Sequence, residues 1–202
     1  MNGHRRKRVI LVTDGDTFAR RALEIAAKQL NMRVISKTAG NPTPLSGVEI
    51  VHCVKQAKYD PVLVMFDDNG DGNQAGGEEA LHVICNHPDI EVIGALAVAS
   101  NTSLVKGVGV DFSIDEHGRQ VSTGVDKDGH PIRRYLVFGD TVDALRELDL
   151  PVIVGIGDIG KMAGRDSPER AAPVTTIALQ RLLAAYHDRK KRSAHANPWD
   201  SA

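Results

Sequence analysis

The chain has 202 residues, a formal net charge of −1, 42% hydrophobic residues and few aromatics, which suits one domain or at most two small ones. Its longest apolar run, at 92–99, is too short to cross a bilayer, and no signal-peptide core follows the basic N-terminus, so we expect a protein kept inside the cell. The two cysteines lack metal-finger spacing, which argues for reduced thiols and against a zinc finger.

The first half of the chain alternates short apolar runs with helical periodicity. Strands are predicted at 9–13, 33–36, 61–66 and 91–99, and helices at 17–30, 46–57 and 77–86. Asp16 is placed to cap the first helix, and Ser46 with Glu49 forms the capping-box pattern that starts the second helix.

The second half of the chain has a different pattern. Runs at 108–115, 120–126 and 133–138 are separated by turn-rich sequence, which predicts a small β-hairpin insertion near 108–138. Asp140 or Thr141 is expected to cap a helix to about Leu148. A buried strand is predicted at 151–154, and Ser167-Pro168 is expected to start a last helix that runs to about Arg189.

This alternation predicts an α/β protein with a mostly parallel sheet and helices on both faces, a Rossmann-like three-layer fold. Residues 9–188 are assigned to a single α/β domain, residues 1–8 to a basic arm and residues 189–202 to a disordered basic tail. The pattern leaves the order of the strands open.

Acidic residues follow two of the predicted strands. They are Asp14, Asp16, Asp67 and Asp68. Ligands of parallel sheets bind outside the carboxyl ends of the strands. Carboxylates held close raise one another's pKa unless a cation neutralises them, and such a group suits Mg²⁺, which commonly bridges to phosphate. The sequence therefore predicts an acidic, metal-binding crevice at this edge, with ordinary polar loops as the alternative.

Other strand ends supply candidate ligand-binding residues. They are Asn41, Asn101, Gly155, Gly157, Asp158 and Lys161. Residues 155–160 match the Gly-x-Gly-x-x-Gly dinucleotide fingerprint, and Lys161 beside backbone amides is suited to hold a phosphate or carboxylate. A long helix follows in place of a second strand with an acidic residue, so a simple glycine-rich turn is the alternative.

Residues 67–78 also fit the spacing of a calcium-binding loop. Asp67, Asn69 and Asp71 alternate, Gly72 lies at the sharp turn, and Glu78 is the twelfth residue. A predicted strand precedes this loop where a helix is usual, so an acidic crossover is the alternative. The sequence establishes no cofactor, and it leaves both Mg²⁺ and Ca²⁺ as candidates for the bound ion.

Basic residues are concentrated at the two ends of the chain. Residues 5–8 and 189–192 hold eight of the 25 basic residues, whereas residues 9–188 contain 17 basic and 25 acidic residues, a net charge of −8. The clusters are suited to contact an anionic membrane surface, with solvated termini as the alternative. The acidic body argues against nucleic acid as a partner.

Several runs together resemble one protein family. They are Val-Thr-Asp-Gly-Asp (12–16), Ala-Gly-Asn-Pro-Thr-Pro-Leu-Ser-Gly (39–47), Phe-Asp-Asp (66–68), Ala-Val-Ala-Ser-Asn-Thr (97–102), Gly-Asp-Thr-Val (139–142) and the long run Val-Gly-Ile-Gly-Asp-Ile-Gly-Lys-Met-Ala-Gly-Arg-Asp (154–166). Over about residues 8–186 the chain resembles the soluble, hydrophilic form of stage V sporulation protein AE of endospore-forming bacteria.

The resemblance implies a role and no reaction. Proteins of that kind are encoded among membrane proteins that move calcium dipicolinate into the developing spore and release it during germination. The resemblance implies a peripheral role in that machinery, with membrane proteins of the same sporulation operon as partners and association with the forespore inner membrane. Our first hypothesis is an accessory protein without catalytic activity, and the resemblance leaves open whether the protein is an enzyme. It supplies no catalytic residues. The alternative is a magnesium-dependent phosphate- or nucleotide-handling enzyme that uses the strand-end aspartates.

Overall fold

The computed structural model describes residues 5–68, 76–101, 105–139 and 141–195. Its strands are β1 (Lys7–Val12), β2 (Arg33–Val34), β3 (Val62–Met65), β4 (Ile90–Val98), β5 (Val108–Gly109), β6 (Phe112–Ile114), β7 (Gln120–Val121), β8 (Leu136–Val137) and β9 (Ile153–Ile156). Its α-helices are α1 (Thr17–Gln29), α2 (Gly47–Gln56), α3 (Gly76–Cys85) and α4 (Pro173–His195). Short 3₁₀ helices cover Ser36–Thr38, Val142–Glu147, Met162–Gly164 and Pro168–Arg170.

Seven of the strands form one sheet in the order β2-β3-β1-β4-β9-β6-β7. β1 pairs in parallel with β3 and β4, β9 pairs in parallel with β4 and β6, and β7 pairs antiparallel with β6 at one edge. The predicted α/β class with a mostly parallel sheet is confirmed. Because parallel strands end at the same edge, the loops after β1, β3, β4 and β9 meet there.

Helices cover both faces of this sheet. α1 and α4 pack on one face around Leu23 and Leu182, and α2 and α3 pack on the other around Ile50 and Ile84. Residues 9–12 of β1, an interior strand between β3 and β4, are fully buried between the two layers. The middle of the sheet is thus a rigid support for the loop that leaves β1.

The predicted helix caps are confirmed for the first two helices. Asp16 Oδ1 accepts a hydrogen bond from the Ala19 amide at 2.8 Å, and Ser46 and Glu49 form a complete capping box. The helix predicted after Thr141 is a 3₁₀ helix, and the Thr141 side chain does not cap it.

The segment predicted as a hairpin insertion is divided between two sheets. The run at 108–115 forms two strands, of which β6 joins the main sheet beside β9 and β5 pairs antiparallel with β8. β6 and β7 do form a hairpin. The predicted insertion is therefore not a separate hairpin, because its strands β6 and β7 extend the main sheet.

The last helix begins later than predicted. Pro168–Arg170 is a 3₁₀ turn, and the positive φ angles of Ala171 (67°) and Ala172 (46°) interrupt the helical path before α4. α4 then continues to His195, so residues 189–195, which were expected to be disordered, are helical. At the other end, β1 starts at Lys7, inside the predicted basic arm.

Candidate functional site

A crevice of about 150 Å³ lies at the carboxyl edge of the sheet. Its lining includes Thr13, Asp14, Asp16, Asn41, Asp67, Ser100, Thr141, Asp158 and Lys161. The loops after β1 and β9 lead to α1 and α4 on one face, whereas β3 leads to α3 on the other face. Such a divergence of loops is where open α/β sheets bind ligands.

The loop after β1 is held in place from two sides. Thr13 Oγ1 accepts a hydrogen bond from the Val98 amide at 2.9 Å, which ties this loop to β4. Gly15 allows the opposite wall to approach, because a Cβ at this position would lie 2.3 Å from the Gly40 carbonyl oxygen and 2.7 Å from Asp67 Cβ. The Gly40 amide donates to the Gly15 carbonyl at 2.8 Å. A side chain at position 15 would therefore push the two walls apart.

Three carboxylates converge at the base of the crevice. Asp14, Asp16 and Asp158 each offer an oxygen within 4.8 Å of the others. Lys161 Nζ lies 2.5 Å from Asp16 Oδ2 and 3.1 Å from Asp158 Oδ1. The ammonium group therefore lies where a bound cation would neutralise the cluster.

Burial alters the protonation of this cluster. It raises the pKa of Asp14 to about 8, against the hydrogen bond that Asp14 Oδ1 accepts from the Asp16 amide at 3.0 Å. The carboxylates of Asp16 and Asp158 raise the pKa of Asp14 further. Burial also raises the pKa of Asp158, although the bond from Lys161 opposes this. At neutral pH the Asp14 carboxyl is thus mostly protonated and can donate a hydrogen bond.

Lys161 stays charged in this setting. Burial acts to lower its pKa, but its hydrogen bonds to Asp16 and Asp158 outweigh burial and raise the pKa. Its Nζ also lies 5.7 Å from the centre of the exposed Phe18 ring. The crevice thus combines a proton donor, a cation and two carboxylates within a small volume.

The structure brings six of the ten predicted site residues to this crevice. They are Asp14, Asp16, Asn41, Asp67, Asp158 and Lys161. Asp67 lies on the wall formed by β3, where its backbone is bonded to Thr43. Asp68 does not line the crevice, and its Oδ1 accepts a hydrogen bond from Thr141 Oγ1 at 3.2 Å. The three-carboxylate cluster thus contains Asp158, whereas Asp67 and Asp68 were the expected members. Metal binding by this cluster stays a prediction.

The glycine-rich run does not have the geometry of a dinucleotide loop. Gly155 lies within β9, where a Cβ would meet Ser113 Oγ at 2.2 Å, and a Cβ at Gly157 would meet the Lys127 carbonyl at 2.8 Å. Both glycines are thus explained by packing. A short 3₁₀ helix follows the run, whereas a dinucleotide loop leads directly into a long helix. Asn101 is exposed and does not line the crevice.

Most of the predicted calcium-binding loop lies outside the described residues. Asn69, Asp71 and Gly72 belong to that part, and Glu78 lies within α3. The calcium loop stays a prediction.

Sequence reasoning missed Asp166, which holds the loop of Asp158 and Lys161 in place. Its fully buried carboxylate accepts hydrogen bonds from the amides of Gly160, Val174 and Thr175 at 2.8–2.9 Å and from Thr175 Oγ1 at 2.6 Å. An Asp ahead of a helix was the available signal, but Ser167-Pro168 pointed to an earlier helix start. Asp166 joins the amino end of α4 to the glycine-rich loop.

Comparison with known proteins places the chain in a family. The family model described as stage V sporulation protein AE1 matches residues 8–185. No curated protein and no solved structure matches the chain. In the described residues, no helix combines the length and apolar character needed to cross a membrane. The resemblance found in the sequence is confirmed: the chain belongs to the stage V sporulation protein AE1 family and is a sporulation-related protein.

Proposed function

We propose that this protein is a non-catalytic accessory component of the machinery that moves calcium dipicolinate across the spore inner membrane. In this proposal the crevice binds a small ligand or ion, and the protein associates peripherally with membrane proteins of the same operon. Membership of the sporulation family supports the setting. The observation that carries the ligand site is the placement of Lys161 between Asp16 and Asp158, beside the half-buried Asp14.

The charges in the crevice suit a ligand that carries both signs. A carboxylate ligand would attract the Lys161 ammonium and accept a hydrogen bond from protonated Asp14. A calcium ion that arrives with it would be drawn to the carboxylates of Asp16 and Asp158, because Ca²⁺ prefers oxygen ligands. When a chelate of calcium and a dicarboxylate binds, the calcium ion therefore pairs with Asp16 and Asp158, and the carboxylate pairs with Lys161. Either ion alone leaves some charge in the crevice without a partner.

Thermal unfolding of the full chain with added ligands tests this proposal. We expect calcium with dipicolinate to raise the Tm more than calcium or dipicolinate alone, because ligands that bind the folded state stabilise it, by about 2.7 kcal/mol at a hundred times Kd. Lys161→Met should remove the extra effect of the chelate, whereas the exposed Lys106→Met serves as the control. No change of Tm with any of the three additions would reject the ligand site.

A magnesium-dependent phosphate- or nucleotide-handling enzyme is the second candidate. The convergence of Asp14, Asp16 and Asp158 favours it, because clustered carboxylates hold Mg²⁺ in such enzymes. Lys161 argues against it, since its ammonium group already neutralises Asp16 and Asp158. Stabilisation by magnesium with ATP, together with phosphate release that is lost in Asp16→Asn, would support the enzyme and count against the accessory role.

A further inference from the structure

The edge of the sheet opposite the crevice is rich in basic residues that are exposed or partly exposed. It gathers residues 5–8 at the start of β1, Arg33 at the start of β2, Lys58 ahead of β3 and residues 189–192 near the end of α4. We call this surface the basic edge. Its members come from both ends and from the middle of the chain, so a single flexible tail does not account for it.

Defined contacts bring the two ends of the chain together there. Arg8 is the register partner of Glu91 in the parallel pairing of β1 and β4, and Lys190 Nζ lies 3.1 Å from Glu91 Oε1. Tyr186, one turn earlier in α4, also donates to Glu91. The last turns of α4 are therefore held beside the start of β1.

The internal basic residues lie on the same surface. Lys7 Nζ donates to the Ala57 carbonyl at 2.7 Å, next to Lys58, and the Arg33 amide donates to the Pro61 carbonyl at 3.2 Å. Tyr59 follows Lys58 in the chain. Its side chain is exposed, and its ring centre is 5.7 Å from Lys58 Nζ. An aromatic ring with a polar tip among basic side chains is typical of surfaces at the membrane interface.

The acids of this edge do not cancel its charge. Asp60 pairs with Arg8, Asp89 with Lys55, Glu91 with Lys190 and Asp111 with Arg189. Arg6, Arg33, Lys58 and Arg192 remain exposed, form no ion pair within the described part of the chain, and outnumber the exposed acids Asp149 and Asp188. The surface carries a net positive charge while the crevice edge is acidic.

We propose that the basic edge docks on the phosphate headgroups of an anionic bilayer, with Tyr59 at the headgroup level and the crevice directed away from the membrane. The inference rests on the peripheral membrane association in the proposed function. The nine residues of β4 separate the two edges by about 30 Å, several times the roughly 8 Å over which charges act at physiological salt. A planar anionic surface can therefore contact the basic edge without being repelled by the acidic residues at the crevice edge. A nucleic acid that wrapped the protein would meet both.

Co-sedimentation of the full chain with vesicles tests the basic edge. We expect binding to vesicles that contain phosphatidylglycerol, release at high salt, and no binding to phosphatidylcholine alone. The double variant Arg33→Gln/Lys58→Gln should weaken binding about 25-fold, since each basic residue near an anionic surface contributes about fivefold. Its matched control is Arg21→Gln/Arg165→Gln, which removes the same charge from exposed residues near the crevice edge and should bind like the unaltered chain.

Three outcomes would overturn the proposal. The first is that the test pair and the control pair of substitutions weaken binding equally. The second is that the protein binds equally to both kinds of vesicle, and the third is that it binds to neither. Loss of binding only when residues 189–192 are neutralised, with Arg33→Gln/Lys58→Gln unaffected, would also reject the basic edge in favour of an isolated tail. Because ligand stabilisation of the crevice is measured without vesicles, its persistence in any of these cases leaves the ligand-binding proposal standing.

Discussion

Lys161 Nζ lies 2.5 Å from Asp16 Oδ2, and this ion pair joins the loop after β9 to the residue that caps α1 at the end of the loop after β1. The two residues are 145 positions apart and meet only because β4 alone separates β1 from β9 in the sheet. The pair places a positive charge inside an acidic crevice. A cation that entered the crevice would therefore compete with Lys161 for the carboxylates of Asp16 and Asp158.

Replacing this lysine should open the crevice to divalent cations. In Lys161→Met the carboxylates of Asp16 and Asp158 lose their cation, so we expect Mg²⁺ and Ca²⁺ to bind about tenfold more tightly than to the unaltered protein. The stability lost at neutral pH should be only about 1 kcal/mol, since the Lys161 side chain is 39% exposed. Isothermal titration with each ion measures the affinities. Equal affinities in the two proteins would show that Lys161 does not compete with metal.

The protonation of Asp14 should appear in the dependence of stability on pH. Folding raises the pKa of Asp14 from its ordinary 3.8 to about 8. Between these values the folded state holds a proton that the unfolded state has lost, so this residue lowers stability as the pH rises. Asp14→Asn imitates the protonated carboxyl and removes that loss. We expect the variant to gain about 1–3 kcal/mol over the unaltered protein between about pH 5 and pH 8.

Urea unfolding across this pH range measures the difference. Asp149→Asn, a change at an exposed aspartate, is the matched control and should follow the unaltered protein. Parallel curves for Asp14→Asn and the unaltered protein would mean that the Asp14 carboxyl ionises normally in the folded state.

Asp166 should contribute strongly to stability. Asp166→Ala removes the acceptor of four hydrogen bonds and leaves buried amides without partners, so we expect a loss of about 2–4 kcal/mol in the free energy of unfolding. Asp166→Asn, which keeps one carbonyl oxygen, should lose less. Chemical denaturation gives both values. A loss below about 0.5 kcal/mol in the alanine variant, as is usual for exposed positions, would contradict the assigned role.

A methyl group at position 15 should disturb the crevice. The Cβ of Gly15→Ala would lie 2.3 Å from the Gly40 carbonyl oxygen, so the wall that carries Asn41 must move, at a cost of about 1–3 kcal/mol. Gly109→Ala is the control, because a Cβ there meets nothing within 4 Å. Hydrogen exchange of the Gly40 amide, which is bonded to Gly15, should quicken only in the first variant. Unchanged exchange would show that the wall does not depend on this contact.

Local rules sufficed to predict much of the fold. The strands around Val9–Val12 and Val62–Met65 are continuous apolar runs, and Asp16 and Ser46 cap helices through contacts within a few residues. The alternation of these elements is sufficient to predict the α/β class. Competition between two local signals explains the main misplacement, since Ser167-Pro168 begins a 3₁₀ turn while Asp166 caps the later helix.

The membership of the crevice depends on strand order, which local patterns do not contain. Asp158 joins Asp14 because β9 lies beside β4, whereas sequence reasoning assigned Asp158 to ligand binding and grouped Asp14 with other aspartates that follow predicted strands, Asp16, Asp67 and Asp68. Asp68 faces Thr141 for a similar reason: a contact across 73 positions decides its direction. Long-range pairing thus separates the candidates that local chemistry cannot distinguish.

The burial of β1 has a consequence for how the protein responds to its surroundings. Seven positions separate Lys7 on the basic edge from Asp14 in the crevice, and the strand between them is bonded on both sides to β3 and β4. A strand clamped in this way has no alternative arrangement through which one end could report on the other. The free energies of events at the two ends should therefore add, so that a ligand of the crevice would bind with the same affinity whether or not the basic edge is docked.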